Sequence, residues 1–168
     1  PRRVLLIGGG MNGSLAEALK HPSVTRLDYV ELDPAMLRLG AEYLDAAGRD
    51  NPRVAIHNTD GRLFLRDPAA QFDVILVNLP DPTTAKVNRY FALEFFREAK
   101  ARLRSGGVLA LRLRGAENYI GPELAGFLRS IHRTLHAEFA DVAELPGSTI
   151  HFFASDTPGT LLRRPEQY

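Results

Sequence analysis

The stretch that decides the fold lies at the start of the chain and reads Val4-Leu5-Leu6-Ile7-Gly8-Gly9-Gly10-Met11-Asn12-Gly13. Four consecutive apolar residues are typical of a strand that is buried on both faces. The glycines after them allow a tight turn into a helix and let a ligand approach the backbone and the free N–H groups of that helix. We therefore predict a strand, a ligand-binding turn at Gly8, Gly9 and Gly10, and a helix.

Strand-like and helix-like patterns alternate along the rest of the chain. Buried strands are predicted at 4–7, 27–31, 54–57, 74–77, 108–113, 142–145 and 150–154. This alternation predicts an α/β, Rossmann-like, doubly wound and mostly parallel sheet. The turn at Pro146-Gly147 is too short for a parallel crossover, so we predict a C-terminal antiparallel strand. That layout is the class I methyltransferase-like fold.

Helical periodicity fills the gaps between the strands. Ser14 is predicted to cap the first helix, and Asp33-Pro34 to begin the second. The spacing of apolar residues from Phe91 to Leu103 predicts a helix that stops at Ser105-Gly106-Gly107. A further helix is predicted after Gly121-Pro122.

The composition is that of an ordinary globular protein, with 168 residues, 45% hydrophobic and 24% charged. A net charge of +1 argues against nucleic-acid binding, and the absence of cysteine excludes disulfides. No apolar run is long enough to cross a bilayer, and the absence of cysteine suits a reducing compartment. We expect a cytoplasmic location, either as a free domain or as the cytoplasmic domain of a membrane-associated protein. We predict a nucleoside-binding domain over residues 1–155 and a tail over 156–168. Since the chain begins at Pro1 rather than Met, we expect it to be a piece of a longer protein.

Acidic residues follow the second and third predicted strands. Glu31 lies about 20 residues after the glycine turn, where a carboxylate can accept both hydroxyls of a ribose. Asp60-Gly61 opens a helix in the loop that lies against the base in this fold class. Asp60 can accept the exocyclic amine of adenine and also cap that helix.

The fourth predicted strand ends in Asn78-Leu79-Pro80-Asp81-Pro82. Ligands of open α/β sheets bind beyond the carboxyl ends of the strands, so Asn78 and Asp81 are the candidate catalytic residues. His132 and His136 are one helical turn apart, but the sequence shows no third ligand and no HExxH motif beside them. We therefore expect a half-exposed helix face there and no metal site.

The order of these motifs resembles the spermidine synthase (aminopropyltransferase) family from about residue 3 to residue 112. The similar stretches are 4–10, 20–24, 30–33, 52–54, 59–61, 72–77, 81–82 and 91–96. Residues 88–90 and 115–119 are more similar to the spermidine synthase-like domains that are fused to membrane segments.

Members of that family transfer the aminopropyl group of decarboxylated S-adenosylmethionine to an amine. The resemblance implies that Gly8 and Gly10 lie under this co-substrate, that Glu31 binds its ribose and that Asp60 binds its adenine. It also implies that the loop 78–82 lies next to the amine. It also implies a small-molecule amine acceptor, a homodimer and a membrane segment elsewhere in the full-length protein.

Two positions depart from the family pattern. Met11 and Asn78 stand where the family has aspartates, and neither side chain can attract a cation or accept a proton.

Three hypotheses for the function follow from these observations. The first is an aminopropyltransferase in which Asp81 is the base or cation anchor and Asn78 orients the amine. The second is a methyltransferase that uses intact S-adenosylmethionine, and the third is a non-catalytic nucleoside-binding domain of a membrane-associated protein.

Overall fold

The computed structural model describes residues 1–10, 13–43, 50–116 and 119–162. Strands and helices alternate along these residues. In chain order they are β1 (Arg3–Ile7), α1 (Ser14–Leu19), β2 (Arg26–Glu31), α2 (Pro34–Tyr43), β3 (Val54–Asn58), α3 (Gly61–Phe64), β4 (Phe72–Val77), α4 (Ala85–Asn88), α5 (Leu93–Lys100), β5 (Leu103–Arg114), α6 (Pro122–Glu138), β6 (Asp141–Leu145) and β7 (Thr149–Ser155).

The strands form one seven-stranded sheet in the order β3-β2-β1-β4-β5-β7-β6. The pairs among β1 to β5 are parallel, whereas β7 is antiparallel to both β5 and β6. The predicted Rossmann-like sheet with a C-terminal antiparallel strand is therefore confirmed. Its order reverses at β1, because the chain adds strands first to one side of β1 and then to the other.

Successive side chains of β1 point to opposite faces of the sheet, and both faces are covered. Leu5 and Ile7 belong to a core cluster that includes Phe95 of α5 and Leu135 of α6. The intervening Val4 and Leu6 belong to a second cluster with Leu15 of α1 and Tyr29 of β2. Because both faces are buried, all four residues of the opening strand are apolar.

The predicted helix from Phe91 to Leu103 is wrong at both ends. Helix α5 covers Leu93–Lys100, and Ser105-Gly106-Gly107 lies in the first half of β5 instead of ending a helix. Leu103 pairs with Phe72, and the register then shifts so that Val108 pairs with Val74. Gly106 has a φ of 72°, which is compatible with this irregular pairing.

The cap predicted at Ser14 is also wrong. The N-cap of α1 is Gly13, with a φ of 94° and no side-chain hydrogen bond, and Ser14 is the first helical residue. The predictions for α2 and α3 are confirmed, because Asp33 Oδ1 accepts the N–H of Ala35 and Asp60 caps α3. No helix within the described ranges is long and apolar enough to cross a membrane.

Candidate active site

The glycine turn lies at the carboxyl end of β1, between the ends of β2 and β4. Gly8 and Gly9 have φ values of 71° and 64°, a conformation that residues with a side chain rarely adopt. The N–H of Gly8 donates to the carbonyl of Val30 at 2.9 Å, and the N–H of Asn78 donates to that of Ile7 at 3.0 Å. The turn is thus held against both neighbouring strands, at the point where the strand order reverses and where such sheets bind ligands.

Neighbouring side chains occupy the space that larger residues in the turn would need. A β-carbon at Gly9 would lie 2.4 Å from the Nδ2 of Asn78, and one at Gly10 would lie 2.3 Å from the ring of Tyr29. The packing of the fold therefore requires these glycines, whatever ligand binds above them. Met11 replaces an aspartate of the family that the sequence resembles, and it lies outside the described residues.

Glu31 lies at the end of β2, and its carboxylate is held in place by its neighbours. Its Oε2 accepts from the hydroxyl of Tyr29 at 3.1 Å, and its Oε1 accepts from the N–H of Asp33 at 3.0 Å. Burial, together with the Glu31 carboxylate, raises the pKa of Tyr29, so this hydroxyl remains a donor. Because a carboxylate offers about four acceptor positions, capacity remains for two ribose hydroxyls.

Asp60 begins α3 and accepts four hydrogen bonds through its carboxylate. Its Oδ1 accepts from the N–H groups of Arg62 at 2.8 Å and Leu63 at 3.3 Å, and from the hydroxyl of Tyr90 at 3.3 Å. Its Oδ2 pairs with the guanidinium of Arg89. Burial by itself would raise the pKa of Asp60, but Arg89 and the two backbone donors outweigh it and hold that pKa below its ordinary value. The carboxylate is therefore ionised at neutral pH.

Arg89 and Tyr90 are site residues that sequence reasoning missed. Besides contacting Asp60, the Tyr90 hydroxyl accepts from the N–H of Gly61 at 3.1 Å. A β-carbon at Gly61 would lie 2.8 Å from Cγ2 of Ile7, so the glycine allows the start of α3 to approach β1. The contacts of Arg89 and Tyr90 join residues about 30 positions apart, which no local sequence pattern reveals.

Asn78 follows β4 and is hydrogen bonded on both sides of its amide group. Its Nδ2 donates to Oγ of Ser14 at 2.7 Å, and its Oδ1 accepts from Nε of Arg112 at 2.7 Å. The position where the family has an aspartate therefore carries a neutral amide beside a guanidinium. Arg112 is therefore a third site residue, after Arg89 and Tyr90, that the sequence did not reveal.

Asp81 lines a cavity of about 300 Å³ next to Asn78, together with Arg112, Arg114, Ser148 and Thr149 among others. One carboxylate oxygen of Asp81 accepts the backbone N–H of Arg114 at 3.0 Å. The fold thus brings the predicted loop 78–82 to the end of β5. Asp81, which the sequence singled out, therefore lines the same cavity as Arg112 and Arg114, which it did not.

The predicted residues therefore fall into two neighbouring groups at the carboxyl edge of the sheet. Gly8 to Gly10, Glu31, Asp60 and Gly61 lie around the ends of β1, β2 and β3, and Asn78 and Asp81 lie beyond β4. His132 and His136 do not join either group. They lie on α6 beside Glu144, and ligand atoms of the three side chains lie within 4.8 Å of one another.

The sheet order and the position of the site define a Rossmann-like domain of the class I methyltransferase type. The family model for the spermine/spermidine synthase domain matches residues 1–141. The chain therefore belongs to the spermine/spermidine synthase domain family.

Individual relatives agree with this assignment. The chain is 31% identical over 171 residues to a polyamine aminopropyltransferase of Thermoanaerobacter sp. (strain X514), covering 99% of this chain and 60% of the relative. It is 31% identical over 165 residues to spermidine synthase 1 of Hyoscyamus niger, covering 95% of this chain and 52% of that enzyme. The chain thus spans about half to three fifths of the length of these curated relatives.

Solved structures give the same picture of the fold. A spermidine synthase in complex with the transition-state analogue AdoDATO superposes with a TM-score of 0.82 at 27% identity, covering 96% of this chain and 57% of that one. Human methyltransferase-like protein 13 in complex with SAH superposes with a TM-score of 0.78 at 23% identity, covering 99% and 77%. The second likeness concerns the fold alone.

Proposed function

We propose that this domain binds decarboxylated S-adenosylmethionine and transfers its aminopropyl group to a small amine. In that reaction the amine nitrogen attacks the carbon next to the sulfonium and forms a carbon–nitrogen bond. The carbon–sulfur bond breaks, its electron pair stays on sulfur so that methylthioadenosine leaves, and the amine releases a proton. The observation that carries the proposal is the glycine turn flanked by Glu31 and Asp60, in a chain whose family and relatives are aminopropyltransferases.

The proposed nucleoside site has donors and acceptors suited to an adenosine. Gly8 to Gly10 would lie beneath the co-substrate, because glycines have no side chain of their own that would keep a ligand away from the backbone. Glu31 would accept the ribose hydroxyls through its remaining acceptor positions. Asp60 would accept the adenine amine, with Gly61 allowing the loop to lie close to β1. Because Arg89 also pairs with Asp60, the adenine amine would share or displace that contact.

The proposed acceptor site is less suited to a polyamine. Asp81 is the acid of the loop 78–82 that can attract the amine or accept its proton, directly or through a water molecule. Asn78 would orient the amine through its amide, whose oxygen already accepts from Arg112. A guanidinium at this position repels a polycation, so we expect slow turnover or an acceptor that carries an anionic group.

The test is a calorimetric titration with decarboxylated S-adenosylmethionine, the intact compound and methylthioadenosine, followed by turnover assays with a panel of amines. We expect the decarboxylated form to bind more tightly than the intact form. Asn78→Asp should raise the rate of aminopropyl transfer, because it restores a proton acceptor, and Asn78→Ser is the matched control without a charge. If none of the three compounds binds at millimolar concentration, the proposal fails. Binding without turnover in the wild type and in Asn78→Asp would favour the non-catalytic alternative.

A second candidate is a methyltransferase that uses intact S-adenosylmethionine. The observation that favours it is the Arg112 guanidinium, which is bonded to Asn78 beside the glycine turn. A guanidinium can pair with the methionine carboxylate, which the decarboxylated compound lacks. Arg112→Gln should then weaken binding of the intact compound and leave methylthioadenosine binding unchanged. Equal loss for both compounds would argue against this role of Arg112.

A further inference from the structure

Two histidines and a glutamate lie close together at the far edge of the sheet, outside the proposed active site. His132 and His136 are on α6, and Glu144 is on β6. One ligand atom from each of the three residues lies within 4.8 Å of the other two. We infer that these side chains form a binding site for a divalent transition-metal ion, with zinc as the preferred occupant.

The two elements present these side chains to each other for simple geometric reasons. Residues four apart on a helix share a face, and the ring centroids of His132 and His136 are 4.3 Å apart. Alternation along β6 places Glu144 on the same face as Val142, which is buried in the core cluster with Leu135 of α6. Glu144 is therefore directed towards the helix, and its Oε1 lies 2.5 Å from Nδ1 of His132.

Two imidazoles and one carboxylate form one of the donor sets that bind zinc. Zinc binds imidazole nitrogen and carboxylate oxygen at about 2.0–2.2 Å, so two ligand atoms of a tetrahedral site lie about 3.4 Å apart. All three residues are exposed, and small rotations of their side chains can close the separation of 4.8 Å or less. Because metal ligands bind through deprotonated atoms, a bound ion would take the place of the hydrogen bond between Nδ1 of His132 and Oε1 of Glu144.

Three protein ligands leave one position of a tetrahedral ion for water or another ligand. A cavity of about 740 Å³ adjoins the site and is lined by the three residues and by apolar side chains that include Leu145 and Leu161. This cavity provides room for a small ligand on the ion. This cavity is larger than the cavity of about 300 Å³ at Asp81. The cavity at Asp81 is the one at the proposed active site.

The metal site is separate from the proposed transferase site. Glu144 pairs with Phe152, Phe152 pairs with Leu111, and Leu111 pairs with Val77 at the end of β4. Three spacings between neighbouring strands therefore separate the backbone at Glu144 from the backbone at Val77, which corresponds to about 14 Å. The ion would link α6 to the edge strand β6, so its binding should stabilise the fold without depending on the adenosyl compound.

The experiment is titration of the chelator-treated protein with zinc chloride, followed by calorimetry and by thermal unfolding. We expect about one zinc ion per chain and a rise in melting temperature of about 5–10 °C at a hundredfold excess over Kd. His132→Ala, His136→Ala and Glu144→Gln should each weaken binding at least about tenfold. His21→Ala is the matched control, because His21 is also exposed but lies outside the cluster, and it should leave the affinity unchanged.

Two results would overturn the inference. One is full zinc affinity in Glu144→Gln, since the ion would then use only the histidine pair. The other is equal binding by the wild type and the triple variant, which would mean adventitious binding elsewhere. Far-UV circular dichroism checks that each variant folds, and titration with methylthioadenosine checks the proposed active site independently.

Discussion

The two parts of the carboxyl edge of the sheet differ in charge and in how well they fit the family reaction. The nucleoside half consists of the glycine turn with Glu31 and Asp60, and both carboxylates are held by hydrogen bonds from neighbouring residues. The acceptor half consists of Asn78, Asp81 and Arg112, where an amide and a guanidinium lie beside a single acid. Under the proposed function, the residues that bind the co-substrate and the residues that accept the proton would therefore be separate groups in this fold. In the nucleoside half, packing restricts which residues the glycine turn can carry. In the acceptor half, we expect the choice of residue to depend on the reaction rather than on packing.

The largest effect is expected from Gly10→Ala, which tests whether packing fixes the nucleoside half. The new β-carbon would lie 2.3 Å from the ring of Tyr29, which is fully buried. We expect the free energy of unfolding to fall by about 3 kcal/mol, at the upper end for overpacking. Urea unfolding followed by circular dichroism measures this change.

The matched control for Gly10 is Gly126→Ala in helix α6, where a β-carbon would meet no atom within 4 Å. Because alanine favours a helix interior, this variant should gain up to about 1 kcal/mol. If both variants behaved alike, packing against Tyr29 would not be the reason for the glycine, and the comparison between the two halves would lose its basis.

Glu31→Ala tests the nucleoside half as a binding site. Loss of hydrogen bonds to a charged group should weaken methylthioadenosine binding by about 2 kcal/mol, which is about thirtyfold in Kd. Calorimetric titration measures it. Glu17→Ala is the control, because Glu17 is an exposed acid on α1 that pairs with Lys20. An unchanged affinity in Glu31→Ala would remove this residue from the site.

Asp60 should make the stability of the nucleoside half depend on pH. Its pKa is held below the ordinary carboxyl value, mainly by Arg89 and backbone donors that outweigh the opposing effect of burial. A group with a lowered pKa stabilises the folded state above its unfolded pKa, and this contribution is lost as the pH falls through the folded pKa. We expect Asp60→Ala to cost about 1–2 kcal/mol at neutral pH through loss of the helix cap.

The matched variant Asp60→Asn keeps a capping oxygen and removes only the charge. It should be less destabilising at neutral pH than Asp60→Ala, because asparagine is also a good N-cap. Urea unfolding from pH 7 down to about pH 2 should show the gap between wild type and Asp60→Asn closing as Asp60 becomes protonated. A gap that stayed constant over this range would contradict the role of the charge.

Local patterns in the sequence predicted the parts of the molecule that depend on neighbouring residues. The apolar run Val4–Ile7 predicted a buried strand, and the short turn at Pro146-Gly147 predicted the antiparallel end of the sheet; both are confirmed. The spacing up to Leu103 suggested a helix, but pairing with Phe72 places that residue in β5. A pairing between distant strands outweighs a local periodicity, and the sequence does not show which strands will meet.

The residues of the candidate site also fall into two groups, those that local sequence position predicts and those that only the tertiary structure brings together. Glu31 and Asp60 follow strands directly, so their place at the carboxyl edge could be predicted from position alone. Arg112 reaches Asn78 across 34 residues, and Glu144 reaches His132 across an intervening loop. These partners depend on tertiary packing, which is why the sequence alone does not place Glu144 beside the two histidines.

The smallest effect on stability is expected from Asn78→Asp in the acceptor half. The aspartate would keep an oxygen acceptor for Arg112 and turn that hydrogen bond into an exposed ion pair. The Ser14 hydroxyl can rotate from accepting to donating, so its contact with residue 78 can also persist. We therefore expect the free energy of unfolding to change by less than about 0.5 kcal/mol. Thermal unfolding measures this, with Asn78→Leu as the control that removes both contacts and should be clearly less stable. A large loss in Asn78→Asp would mean that packing, and not only chemistry, requires the amide, and the contrast between the two halves would then disappear.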